Sequence, residues 1–301
     1  MDSKRLVICT STGCIEYAPE RYHNLGIEII RINFFFKDKE YKEGLDLDPV
    51  SLYKQMENVK DVKDCLPHTA IPSYEEISQK FIDAIDKGYE EIFVICISSG
   101  LGGTYNFIRL VAEDYQDQIK INVIDAKTTC FQEGLMAIKV KELADKGVPT
   151  ETILKEVEWI KAHHEFIGID ARLDYLILNR RLKGGKAYLG KMMRITPVIH
   201  FSREGEIVPL FNTIGSKKAL AKTCEELLKI IGKRDPKDYI LFHIYTGDST
   251  IKDLIEIEKK YGIKTNHEDV IMSPVSGCHN GPWLAAYAYE PIRRDDEPLG
   301  E

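Results

Sequence analysis

The chain has 301 residues, 44% of them apolar, and a formal net charge of -7 at pH 7. That much apolar material fills one large core or two smaller ones, and the length favours two domains. An acidic chain with scattered lysines is poorly matched to nucleic acid or an anionic membrane surface, and no apolar run approaches the ~20 residues of a membrane span.

Met1 to Arg5 lead directly into a strand, not a signal peptide, so the expected compartment is the cytoplasm. Seven cysteines without a C-x-x-C pair suit reduced core thiols better than a disulfide framework. The eight histidines show no ligand spacing, so neither a metal nor another cofactor is expected.

Arg5 to Thr10 reads as a strand, with Ser11-Thr12-Gly13 as a polar turn at its carboxyl end. A second strand is expected over Ile27 to Phe36, then a solvated acidic turn from Glu43 to Asp48. Pro49 suits the first position of a short helix ending near Glu57. Prolines hold Pro67 to Ser73 extended, and Ser73 with Glu76 makes a capping box for a helix carrying Ile77, Phe81 and Ile85 and ending at Gly88.

The run Ile92 to Ile97 predicts a buried strand, and Ser98-Ser99-Gly100-Leu101-Gly102-Gly103-Thr104-Tyr105 hands it over to a helix over residues 103 to 115. A helix start offers free N–H groups and the positive end of the dipole to a phosphate or carboxylate. The same residues also suit a tight turn in which Ser99 or Thr104 caps the helix. A strand at Ile121 to Asp125, a helix from Phe131 to Lys146 and another capped by Thr150 continue the alternation. This pattern predicts a parallel sheet with helices on both faces. Ligands of such sheets sit at the carboxyl ends of the strands, where the loops after Cys9, before Ser73 and at Ser98 would meet.

Further strands are expected at Phe166 to Ile169, Ile195 to Phe201, Ile207 to Phe211, Ile240 to Tyr245 and Val270 to Met272, with helices near 216 to 232 and 250 to 261. Turn residues at Arg203-Glu204-Gly205-Glu206 predict a hairpin, hence a mixed sheet. The fold class is therefore two α/β domains, residues 1–165 and 166–290, followed by a solvated tail over 291–301. Near the end, His279 lies between two glycines in Gly277-Cys278-His279-Asn280-Gly281-Pro282-Trp283, read as a strand-to-helix turn before a helix-like Leu284 to Tyr287. An imidazole there either serves the turn or donates to an anionic oxygen.

Together these stretches resemble the DegV family of bacterial fatty-acid-binding proteins. Thr69-Ala70-Ile71-Pro72-Ser73 stands for its T-S-x-P-S loop, Ser98 to Tyr105 for S-S-G-L-S-G-T-Y, and Gly277 to Pro282 for G-T-H-T-G-P. Gly184-Gly185-Lys186-Ala187 stands for G-G-R-I, and Leu189-Gly190 with Ile195-Thr196-Pro197-Val198 for the L-G and I-K-P-I that follow.

The resemblance implies one long-chain fatty acid between the two domains, its carboxylate on Thr69 and on Ser98 or Ser99, with His279 nearby. It also implies a carrier, not an enzyme, which presents the acid to a separate fatty acid kinase that makes an acyl phosphate for phospholipid synthesis. The residues agree, since there is no G-x-x-x-x-G-K-[ST] loop and no G-x-S-x-G elbow. An alternative is a Ser/His enzyme, with Ser98 or Ser99 as nucleophile and His279 as base on an acyl or small carbonyl substrate.

This chain departs from the family pattern at several points. Thr10 replaces the aspartate of the first loop's T-D-S-T, Ala70 replaces a serine, and Trp283 a small residue that would otherwise leave room for the ligand. Lys186 and Ile214 stand for arginines, and if those arginines dock the kinase, a lipid sensor without that partner is a further alternative.

Overall fold

In the computed structural model, which describes residues 4–188, 195–266, 268–294 and 297–299, the runs Leu6–Cys9 and Ile92–Cys96 are buried at every position. Strands covered on both faces must be. The first half runs β1 (Arg5–Thr10), β2 (Ile27–Ile30), β3 (Asn33–Phe36), β4 (Lys39–Lys42), α1 (Pro49–Glu57), β5 (His68–Ala70) and α2 (Tyr74–Asp86). It continues with β6 (Glu91–Cys96), α3 (Thr104–Glu113), β7 (Lys120–Asp125), α4 (Phe131–Asp145) and α5 (Thr150–His163).

Four strands form a parallel sheet in the order β2-β1-β6-β7. Helices cover both faces. Met136 and Val140 of α4 and Val157 of α5 pack on Val7, Phe93 and Ile95. Ile77 and Phe81 of α2 and Ile108 of α3 pack on Leu6, Ile8 and Val94. The capping box of Ser73 and Glu76 forms, but Thr150 does not cap α5: its hydroxyl turns to Glu91.

The segment Ile27 to Phe36 is two strands, not one. Pairing with β1 ends at Thr10 opposite Ile30, and the N–H of Ile32 is taken by Ser11 Oγ at 3.1 Å. The chain then leaves the sheet, and β3 joins β4 and β5 in a small antiparallel sheet.

The second half runs β8 (Glu165–Asp170), α6 (Asp174–Leu178), β9 (Ile195–Phe201), β10 (Ile207–Ile214), α7 (Ser216–Ile231), β11 (Tyr239–Tyr245), α8 (Asp248–Glu258), β12 (Val270–Ile271), α9 (Pro274–Asn280) and β13 (Leu284–Pro291). Its sheet has the order β10-β9-β8-β13-β11-β12 and is mixed, only β11 and β12 being parallel.

Leu284 to Tyr287, expected as a helix, opens β13, a strand paired on both sides. Leu284, Ala286 and Ala288 join one buried cluster, and Ala285, Tyr287 and Tyr289 the other. A period of two with both faces covered is a strand signature that alanine content obscured. The first of these clusters also holds Leu101, Phe131 and Leu135, so one core spans the two large sheets.

The tail is less free than expected. Pro291 ends β13, Arg293 Nε donates to Glu156 at 2.7 Å, and Arg234 donates to Glu297 at 2.6 Å. Asp295, Asp296, Gly300 and Glu301 of the tail and the Leu189-Gly190 pair lie outside the described residues. Among the described residues no helix is long and apolar enough to cross a membrane.

Candidate functional site

At the carboxyl end of β6 a cavity of about 640 Å³, part of it open to solvent, is lined by both halves of the chain. Ile32, Ile71 and Leu101 from the first half and Ile207 and Val275 from the second supply apolar walls.

Thr69 on β5 and His279 in the last turn of α9 meet there, Thr69 Oγ1 lying 3.1 Å from His279 Nε2. The helix that carries His279 starts at Ser273, whose hydroxyl accepts from Ser276 N–H, and stops at Gly281 with φ 76°. His279 therefore sits at a helix end that leads into a strand, the reverse of the expected turn. Burial, helped by Arg181 and His68, pushes its pKa down to about 3, so the ring is neutral at pH 7. Its Nδ1 is buried without a hydrogen-bond partner.

Arg181, which sequence reasoning missed, lines the same cavity. Among the described residues its guanidinium makes no ion pair, and burial alone shifts its pKa, downward. A half-buried guanidinium beside apolar walls is suited to pairing with an anion. Gly102, Gly103 and Thr104, at the start of α3, complete this wall. The helix begins at Gly103 without a side-chain cap, so neither Ser99 nor Thr104 fills that role.

The two serines stand elsewhere. Ser98 is fully buried and its Oγ donates to Gly205 O at 2.7 Å, at the tip of the β9–β10 hairpin, while accepting from Gly100 N–H. Ser99 Oγ accepts from Lys127 Nζ at 3.2 Å, and its N–H is bound by Asp125. Both belong to the fastening of the turn; Leu101, Gly102, Gly103 and Thr104 are the positions of that motif on the cavity wall, and Gly102 stands opposite a serine in the family pattern. Trp283 lies against Arg172, 4.4 Å from guanidinium carbon to ring centre, not against the cavity.

Behind the walls lie two buried carboxyls that the sequence did not single out. Glu43, expected in a solvated turn, is fully buried: it accepts from Ser11 Oγ at 2.6 Å and from Val275 N–H at 2.8 Å. Burial pushes its pKa up to about 7 against those hydrogen bonds. Glu133 on α4 accepts from Thr12 Oγ1 at 2.8 Å and from Thr10 Oγ1. Burial pushes it up to about 8. Thr10 Oγ1 in turn accepts from Ile97 N–H at 3.1 Å. A carboxyl reaching in from α4 thus stands where the first loop lacks its aspartate.

An α/β molecule with an apolar cavity between its halves and an unpaired arginine beside hydroxyl and imidazole groups has the makings of a binding protein for a small amphipathic anion. A family model described as "Uncharacterised protein, DegV family" matches residues 4–291, and the chain belongs to the DegV family. The DegV domain-containing protein lin2658 of Listeria innocua is 27% identical over 286 residues, 93% of this chain and 96% of the relative. The fold is shared with the fatty acid binding DegV family protein SAG1342 from Streptococcus agalactiae, at TM-score 0.85 and 23% identity, covering 97% of this chain and 100% of the other. A stearic acid-binding protein from Eubacterium ventriosum matches at TM-score 0.79 and 21% identity, covering 95% and 97%.

Proposed function

We propose that this chain binds a long-chain fatty acid between residues 1–165 and 166–290. Thr69, His279 and Arg181 hold its carboxylate, and the start of α3 adds N–H donors. The unpaired Arg181 guanidinium in a cavity with apolar walls is the observation that carries this reading. A charged head group fixes orientation, and each buried CH₂ adds ~0.8 kcal/mol of affinity. The solved relatives, described as binding fatty acids, support it.

A carrier is favoured over a Ser/His enzyme because, among the described residues, His279 bonds to Thr69 and to neither serine, and no third group orients its Nδ1. As a carrier it hands the acid to a separate fatty acid kinase, a role that rests on the family resemblance. Ile214, 70% exposed where the pattern has an arginine, is the position at which that docking is most altered.

Mass spectrometry of an extract of the purified protein should find a fatty acid in near-equal amount, and Arg181→Met should bind it at least tenfold more weakly. Protein that carries no acid, and binds none from a series of chain lengths, overturns the proposal.

A further inference from the structure

A second cleft, of about 810 Å³ and partly open, shares no lining residue with the first. Its floor is apolar, built from Leu135 and Ile138 on α4, Trp159 on α5 and Ile240 on β11. Tyr22 also lines it, together with five charged side chains: Lys139, Glu142, Glu156, Glu290 and Arg293. Arg293 and Glu156 satisfy each other at 2.7 Å, and Glu142 is exposed. Lys139 and Glu290 are left.

Glu290 is only 7% exposed, and its Oε2 is buried without a hydrogen-bond partner. Glu43 and Glu133 have their oxygens engaged; Asp170 Oδ2 is likewise without a partner among the described residues, but Asp170 lines neither cavity. Leaving a carboxyl oxygen dry and unpaired is costly, and such an exception calls for a partner. Lys139 is close enough to Glu290 to act on its titration, yet the two form no ion pair, and Lys139 makes none with any described residue. A carboxyl and an ammonium thus flank one apolar floor with a gap between them.

We propose that this cleft binds an α-amino acid with an apolar side chain, its ammonium on Glu290, its carboxylate on Lys139 and its side chain on the floor of Leu135, Ile138, Trp159 and Ile240. Charge-assisted hydrogen bonds at both heads and burial of the side chain are what the lining offers. A simple amine would face Lys139 with like charge, and a simple acid would bring no ammonium to pair with Glu290.

The site carries a proton signature. Burial holds Glu290 up to about 8, opposed by Lys139, so at pH 7 the empty site is mostly protonated. An ammonium needs the carboxylate, and binding therefore releases a proton. Affinity should rise from pH 6 to pH 8 and fall at higher pH, where the ligand's own ammonium loses its proton. The other titratable groups facing the cleft are Glu142, Glu156, Arg293 and Tyr22.

Calorimetry on the full chain at pH 7 tests this with L-phenylalanine, L-leucine, 2-phenylethylamine and 3-phenylpropanoate, each in phosphate and in Tris. The two amino acids should bind, with an enthalpy that differs between buffers by the difference in their heats of taking up the released proton. Glu290→Gln should weaken them roughly ten- to hundredfold and abolish the buffer difference. Lys139→Met, on a half-exposed helix position, should weaken them at least threefold and keep the buffer difference. Fatty acid content of both variants is measured as a check on folding and should match the parent. Absence of heat with both amino acids, equal binding of the amine or the acid, or unchanged affinity in Glu290→Gln with its fold intact overturns the proposal.

Discussion

The first cavity is bordered by two kinds of polar group. Glu43 and Glu133 lie behind its walls with their acceptor capacity used by Ser11, Val275, Thr10 and Thr12. Thr69, His279 and Arg181 lie on the walls with capacity to spare: an unpartnered Nδ1 and an unpaired guanidinium. Saturated groups hold a wall in place; unsaturated ones wait for a ligand. The contrast separates architecture from recognition without reference to conservation.

The largest effect is expected from Glu43→Ala, which strands the buried Val275 N–H and Ser11 hydroxyl and detaches the start of α9. At about 1–3 kcal/mol for each stranded group, urea unfolding should show a loss of roughly 2–6 kcal/mol. Glu43→Gln, which keeps an acceptor, should lose less. A loss below about 1 kcal/mol in the alanine variant would mean that Glu43 holds nothing.

Thr69→Ala should do the opposite: little change in stability of the empty protein and about 1.5–3 kcal/mol weaker fatty acid binding, since one hydrogen bond to a charged head group goes. Isothermal titration with a single acid reads both this and the retention expected in Thr69→Ser.

Glu133 gives a pH test of similar size. Its folded pKa, about 8, lies above its ordinary value of 4.5, so the folded state holds a proton that the unfolded state sheds. Its contribution is fully present below about 4.5 and is lost as pH rises through about 8. Between pH 6 and pH 8 the parent should lose roughly 2 kcal/mol more stability than Glu133→Gln. Parallel curves for the two proteins would show that Glu133 is ionised throughout.

What could be read from the sequence was local. Ser73 with Glu76 and Pro49 at a helix start are decided within one turn of chain, and both form. The strand-loop-helix handover at Ile92 to Tyr105 was equally plain. Glu43 could not be read, because its partner Val275 is 232 residues away and an acidic turn has no local mark of burial. Arg181 was hidden for the same reason: its meaning lies in Gly102, whose Cβ, if present, would stand 3.6 Å from the guanidinium. At Ser98 and Ser99 the sequence shows conspicuous hydroxyls but not that Gly205 and Lys127 engage them.

Ser98 is where the contrast is most easily broken, with the smallest expected effect. Its Oγ joins the Ser98–Gly100 turn to Gly205 at the hairpin tip, and Lys127 Nζ reaches Glu204 O at 3.4 Å alongside. The fit is close: Gly205 has φ +79°, and a Cβ on it would collide with Ser98 Oγ, as one on Gly100 would with Gly205 O. Ile207, two residues beyond the tip, lines the cavity. The contact therefore fastens the second half of the chain over the site without touching what is bound. Ser98→Ala should cost about 1 kcal/mol of stability, the worth of one hydrogen bond. It should speed release of the acid in stopped-flow displacement and leave the equilibrium affinity within about threefold of the parent. Should it instead weaken affinity as far as Thr69→Ala does, the serine serves the head group after all, and saturation in the empty protein is no guide to which groups meet the ligand.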